Sequence, residues 1–78
     1  MISAAQSLKN FRINKTATET LAKLAKDPTQ TVAVATAVLR SILLRTNAML
    51  KADDGLSYEI KSKNLGAGVH RVSLTPVE

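Results

Sequence analysis

Two breakers divide this chain and limit the length of every helix that it can form. Asp27-Pro28 is the first, because the residue before a proline is pushed out of the α-helical region of backbone space. Asp53-Asp54-Gly55 is the second, and it is typical of a helix stop followed by a turn. Between them, Val32–Lys51 contains neither glycine nor proline, so the sequence predicts one long helix there.

A short stretch before the first breaker alternates apolar and polar side chains. Apolar Phe11 and Ile13 alternate with three polar residues, Asn10, Arg12 and Asn14. A period of two residues predicts a strand with one apolar face and one polar face. No neighbouring segment offers this strand a partner, and a lone ribbon is unstable in water. We therefore expect it to pair with the same strand of a second chain across a two-fold axis.

A short helix follows the predicted strand. Thr16 or Thr18 can cap it, since each offers a side-chain oxygen to the free amides of the first turn, and Thr16 with Glu19 has the capping-box spacing. Apolar residues then recur at helical spacing as far as the first breaker. Thr31 is the expected cap of the second, longer helix. The apolar face of that helix is wide enough to predict a partner subunit, and it comprises Val34, Val38, Leu39, Ile42, Leu43, Met49 and Leu50.

The last third of the chain predicts β-structure. Leu56–Ile60 and Val69–Leu74 both alternate, and the segment between them contains a glycine-rich turn at Asn64–Gly68. These features predict a β-hairpin. The expected organisation is a flexible arm, a helical core and a hairpin extension, covering residues 1–7, 8–52 and 53–78.

The charge distribution points to a polyanion partner. The chain carries 11 Lys and Arg against 6 Asp and Glu, for a net charge of +5, and the excess lies in the first third. Phe11 and Tyr58 are the only aromatic residues, so the sequence offers no stacking platform for single-stranded nucleic acid. The absence of cysteine excludes disulfides and thiolate metal sites. No apolar run can span a membrane and no signal peptide is apparent, so we expect a cytoplasmic protein without a membrane partner.

The segment Phe11–Ala25 has an alternating start, a polar turn and a helix with a stripe of leucine and alanine. In these features it resembles the ribbon-helix-helix family of DNA-binding repressors and antitoxins. Thr31 falls where that family places the cap of its second helix, whose amino end holds a DNA phosphate. The resemblance implies a mainly α fold with short β-structure: a ribbon-helix-helix homodimer, or a higher-order assembly of such dimers, whose antiparallel ribbon is intermolecular. The dimer core would comprise Phe11, Ile13, Leu21, Leu24, Val38, Leu39 and Ile42.

Such a ribbon fits the major groove of B-DNA, where Asn can bond adenine and Arg can bond guanine. The expected function is that of a dimeric transcriptional repressor that binds a palindromic double-stranded operator in a sequence-specific way. Base contacts are predicted for Asn10 and Arg12, with Leu8 and Asn14. Phosphate contacts are predicted for Lys9, Lys15, Gln30, Thr31 and Val32.

Two alternatives remain open at this point. One is a protein-interaction module, such as an antitoxin or an inhibitor of a host complex, that binds its partner through residues 55–78. The other is a monomeric α+β domain in which residues 8–14 pair with the C-terminal strands. An enzyme is the least expected class, because His70 has no nearby nucleophile and Asp53-Asp54-Gly55 lacks the later ligands of a calcium loop. We expect no catalytic residue, cofactor or metal.

Overall fold

Two helices cover one face of a four-stranded antiparallel sheet. The computed structural model describes residues 4–77, and the side chains of residues 10–77. The strands lie in the order β1-β4-β3-β2. This is an α+β fold, so the prediction of a mainly α ribbon-helix-helix fold was wrong. The elements along the chain are α1 (Ala4–Lys26), β1 (Val32–Ala35), α2 (Thr36–Thr46), β2 (Met49–Lys51), β3 (Ser57–Gly66) and β4 (Val69–Pro76).

The segment predicted to form a ribbon is helical. Residues 8–14 belong to α1, which contains no glycine or proline and is rich in the strong helix formers Ala, Leu and Lys. Ile13, Ala17 and Leu24 recur at helical spacing and face the core. This spacing extends over three turns, whereas the strand-like alternation covers five residues, and tertiary packing follows the longer pattern. The intermolecular ribbon is therefore wrong, and Leu8 is a helical residue whose side chain lies outside the described set.

The ends of α1 differ from the prediction at one side only. The helix stops at Lys26, immediately before Asp27-Pro28, as the sequence predicted. Its predicted start at Thr16 or Thr18 lies in the middle of the helix, where the Thr18 hydroxyl donates to the carbonyl of Asn14 at 2.9 Å. Residues 4–7, expected within a flexible arm, are part of α1, and residues 1–3 lie outside the described residues.

The long helix predicted over Val32–Lys51 is replaced by a strand, a shorter helix and a second strand. Val32 and Val34 are β-branched and alternate with alanines, so they fit a pleated strand better than a helix. Both side chains lie on the inner face of the sheet, where Val32 is directly opposite Val72. Helix α2 begins at Thr36 after an N-cap residue that makes no side-chain cap bond. Thr31 precedes β1 and caps no helix, so that prediction was also wrong.

Two residues with left-handed backbone conformation end α2. Asn47 has φ of 51° and Ala48 has φ of 61°. Asparagine tolerates this region, whereas alanine adopts it at a cost of about 1–2 kcal/mol. The sheet offsets that cost, because the amide of Ile60 donates to the carbonyl of Ala48 at 2.7 Å. The reversal directs the chain into β2 at the far edge of the sheet.

The predicted hairpin is confirmed, and it forms the middle of the sheet. Strands β3 and β4 pair around Gly66-Ala67-Gly68, where all three residues have positive φ. Strand β4 also pairs with β1, and β3 also pairs with β2. Ile60 and Val72 from the hairpin are buried in the core. Residues 53–78 are therefore not an appendix that could be removed without loss of the fold.

The predicted turn at Asp53-Asp54-Gly55 forms after β2, but no helix stops there, because α2 ends at Thr46. The amide of Leu56 donates to Oδ1 of Asp54 at 2.8 Å, and the hydroxyl of Tyr58 donates to Oδ2 of the same carboxylate at 2.6 Å. The bond from Tyr58 lowers the pKa of Asp54, and the same bond raises the pKa of Tyr58. This arrangement fixes the β2–β3 connection beside the sheet edge.

The helices and the sheet of one chain form a hydrophobic core. Four residues of the predicted dimer core, Leu24, Val38, Leu39 and Ile42, are buried against the inner face of the chain's own sheet; Ile13 and Leu21 are half-buried beside them. Phe11 is 65% exposed and takes no part in this core. The apolar side of α2 thus packs against α1, β1, β2 and β4 of the same chain, whereas Val34, Met49 and Leu50 of the predicted apolar face lie in strands. The burial of Leu24, Val38, Leu39 and Ile42 is explained within one chain, and the dimer stays a prediction.

Candidate nucleic-acid interface

The outer side of α1 carries a row of exposed basic residues, which we call the cationic ridge: Arg12, Lys15, Lys23 and Lys26. At 100° per residue these four positions fall within an arc of about 80° on the helix. Ala17 and Leu24 lie on the opposite side and are buried in the core. At 1.5 Å per residue the ridge is about 21 Å long. The ridge therefore points away from the core along most of the described helix.

Helix α2 contributes two more exposed arginines, and we call α1 and α2 together the helical layer. Arg40 is exposed on the outer side of the helix, opposite buried Val38 and Ile42. Arg45 faces α1, where its Nη1 donates to the carbonyl of Asn14 at 3.2 Å and to the hydroxyl of Thr18 at 2.8 Å. The guanidinium thus holds the two helices together while its charge stays at the surface.

A second polar contact joins the helices at the same level. The hydroxyl of Ser41 donates to Oδ1 of Asn14 at 3.1 Å. Together with Arg45, this bond fixes the half of α1 that extends toward the amino terminus. The geometry of the exposed side chains on α1 and α2 is therefore set by hydrogen bonds as well as by the core.

An open groove of about 730 Å³ runs between the outer sides of the helices. Its lining combines polar, basic, acidic and apolar side chains. Phe11 is 65% exposed beside it, and Leu44 is 80% exposed in a neighbouring groove that also includes Arg40. Such a surface can contact phosphates through its cations and thymine methyl groups through its apolar side chains. The first groove is lined by Phe11, Asn14, Lys15, Thr18, Glu19 and Arg45.

The charge of this helical layer is strongly unbalanced. The described part of the two helices carries six basic side chains and a single carboxylate, Glu19. Among the side chains of residues 10–77, the ion pair present is Lys61–Glu59, on the sheet. The six described basic groups of the helices are thus left without a carboxylate partner, which favours attraction of an external polyanion.

The structure separates the predicted base-contacting residues. Asn10 and Asn14 lie one turn apart on the side of α1 toward α2, whereas Arg12 is roughly half a turn of the helix away from each. The side-chain oxygen of Asn14 already accepts a bond from Ser41. The prediction that Asn10, Arg12 and Asn14 contact the bases together was therefore wrong, because it assumed the two-residue period of a strand.

The predicted phosphate contacts have mixed outcomes. Lys15 is exposed on the cationic ridge, and the side chain of Lys9 lies outside the described set. Gln30, Thr31 and Val32 surround no helix amino end, because β1 begins there. Gln30 instead donates to the carbonyl of Lys23 at 2.5 Å. The anion site expected at these three residues is absent because its helix end does not exist.

The sequence prediction placed Arg40 and Arg45 off the centre of the apolar face but did not assign them, or Leu44, to the candidate site. The bounds of α2 are needed to predict that these side chains are exposed. Arg40 and Leu44 are four residues apart, on the side of α2 opposite the buried residues Val38 and Ile42. The assumption of a helix over Val32–Lys51 broadened the apolar face and obscured this pattern.

Comparisons with protein-family models, with curated proteins and with solved structures found no match to this chain. Within residues 4–77, no three His, Asp or Glu side chains converge in a way that could hold a metal ion. Neither helix in that range is long and apolar enough to cross a membrane.

Proposed function

We propose that this protein binds double-stranded DNA through the outer surface of α1 and α2. The observation that carries the proposal is the concentration of unpaired basic groups in this layer, where six cations face one carboxylate. Neutralisation of phosphates by Lys and Arg releases counterions and supplies most of the free energy of non-specific DNA binding. The length and the charge of the cationic ridge therefore suit it to binding a DNA duplex.

The preference for duplex over single-stranded nucleic acid follows from the aromatic residues. Tyr58 is buried in the sheet, which leaves Phe11 as the exposed aromatic side chain of the described part. Binding of single strands depends on several aromatic platforms on which bases stack. The exposed outer side of α1 instead has the dimensions of an element that enters the major groove.

Several more specific predictions about the function depend on duplex binding. A transcriptional repressor that recognises a particular operator stays a prediction, with Arg12 the exposed residue on α1 able to bond guanine bidentately. The homodimer and the palindromic operator were inferred from the ribbon and from the apolar face of the second helix. The proposed surface is complete within one chain and does not require them, and sedimentation equilibrium would measure the mass in solution. The cytoplasmic location and the absence of enzymatic activity, cofactor and metal also stay predictions.

The proposal is tested by two variants that remove equal charge from opposite sides of the molecule. The helix-face variant carries Arg12→Ala, Lys15→Ala and Arg40→Ala. The sheet-face variant carries Lys61→Ala, Lys63→Ala and Arg71→Ala. Binding to a fluorescent duplex of about 20 base pairs is followed by anisotropy between about 50 and 200 mM salt.

We expect the helix-face variant to lose at least roughly tenfold in affinity, and the slope of log K against log salt to fall by about 2.7 for three lost phosphate contacts. The sheet-face variant should lose clearly less. Equal losses in the two variants would show that total charge, and not the helical surface, governs binding. Failure of the wild-type chain to bind duplex at the lowest salt would reject the proposal altogether.

A further inference from the structure

The sheet carries a second basic surface on the side away from the helices. In β3, Ile60 faces the core, so its neighbours Glu59 and Lys61, and then Lys63, face outward. Lys63 is directly opposite Arg71 of β4. Lys51 of β2 lies on the same face, because it is paired with outward-facing Ser57. All four basic residues are exposed. We call this surface the outer sheet face.

The charges on the outer sheet face are not arranged for the stability of the fold. Two cations placed directly opposite each other across neighbouring strands repel. The only acid among the described residues of this face, Glu59, pairs with Lys61 at 3.0 Å, and both side chains are about half exposed, so water screens the pair. Lys63 and Arg71 are left without a carboxylate partner. An external anion is the group that would relieve their repulsion.

The shape of the face suits an extended ligand. Lys51, Lys61 and Lys63 span a length of about 20 Å at 3.3 Å per residue along the sheet. Small side chains lie beside two of the cations on this face, since Ala33 is directly opposite Arg71 and Ser73 is directly opposite Lys61. The face has no aromatic residue on which bases could stack. These features match a phosphate backbone better than they match single-stranded bases.

We propose that the outer sheet face contacts the backbone of a second duplex, so that the protein bridges two DNA segments; this inference rests on the proposed function of the helical layer. The two basic surfaces lie on opposite sides of a molecule whose Cα extents are 43 × 27 × 18 Å. Duplex DNA has a persistence length of about 150 base pairs. One short duplex cannot bend around so small a molecule, and occupation of both surfaces therefore requires two.

The test uses a biotinylated duplex of about 20 base pairs on beads and a fluorescent duplex of the same length in solution. The wild-type chain of 78 residues should be retained by the beads and should capture the fluorescent duplex. The sheet-face variant should remain on the beads but capture roughly tenfold less. Its urea midpoint should equal or exceed that of the wild type, because like charges have been removed.

A second variant tests whether reduced capture results from loss of folding. Lys63→Glu places a carboxylate directly opposite Arg71, so it should stabilise the sheet. It should still reduce capture of the fluorescent duplex. Unchanged capture by both variants would overturn the inference and would indicate bridging by associated chains through their helical surfaces. Retention of the wild type without capture would overturn bridging while leaving duplex binding intact. No retention of the wild type would reject the proposed function and bridging with it.

Discussion

Ile42→Ala is expected to destabilise the protein by about 3–4 kcal/mol, because it removes a fully buried side chain and leaves a cavity. Ile42 is 0% exposed and lies in α2 among Leu39, Ile60 and Val72 of the core. A chain of 78 residues has a free energy of unfolding of about 4–12 kcal/mol. The substitution should therefore remove a large share of the total stability.

Urea denaturation followed by circular dichroism measures this loss. Leu44→Ala is the matched control, since Leu44 lies in the same helix and is 80% exposed. We expect the control to change the free energy of unfolding by about 0.5 kcal/mol or less. Similar shifts for the two variants would mean that the inner face of α2 is assigned wrongly.

Thr18→Pro is expected to cost about 3 kcal/mol or more, because Thr18 lies in the interior of α1. In a continuous helix its amide donates to the carbonyl of Asn14, and proline removes that bond and clashes with the preceding turn. The result separates two accounts of this region. A helix that began at Thr16 would tolerate proline at position 18, within its first turn.

Thr18→Ala is the control for the side chain. It removes the hydroxyl bonded by Arg45 but keeps the backbone amide, so a loss of about 1 kcal/mol is expected. The two variants are compared by their urea midpoints and by helical ellipticity. A proline variant as stable as the alanine variant would show that α1 is not continuous through this position.

Local signals in the sequence predicted several elements because the residues and the tertiary structure agree there. Asp27-Pro28 ends a helix, Asp53-Asp54-Gly55 forms a turn, and the alternating segments after it pair as a hairpin. In each case the backbone preference of proline, glycine or aspartate determines the local conformation. These elements could be placed without knowledge of the rest of the chain.

Two short segments could not be assigned in this way. Residues 10–14 alternate like a strand, but Ile13 extends the helical stripe of Ala17 and Leu24, and burial of that stripe decides the conformation. Val32–Ala35 lacks a helix breaker, but β4 offers it a free edge and an apolar neighbour at Val72. Both outcomes depend on contacts between segments that are distant in sequence.

The candidate site was predictable in its charge and not in its geometry. The basic excess of the first third is presented on the cationic ridge by residues such as Arg12 and Lys15. The relative positions of Asn10, Arg12 and Asn14 could not be predicted, since they depend on whether this segment is a helix or a strand. The cross-strand pair Lys63 and Arg71 becomes visible only when the register of the hairpin is known.

The central claim is that α1 and α2 together form the primary surface for duplex DNA. Nuclear magnetic resonance of the ¹⁵N-labelled chain of 78 residues tests it when duplex is added below the protein concentration. Amide resonances of Arg12–Lys26 and Arg40–Arg45 should shift first, with those of β3 and β4 following as more duplex is added. First shifts along the sheet, or an unchanged spectrum at low salt, would contradict the claim.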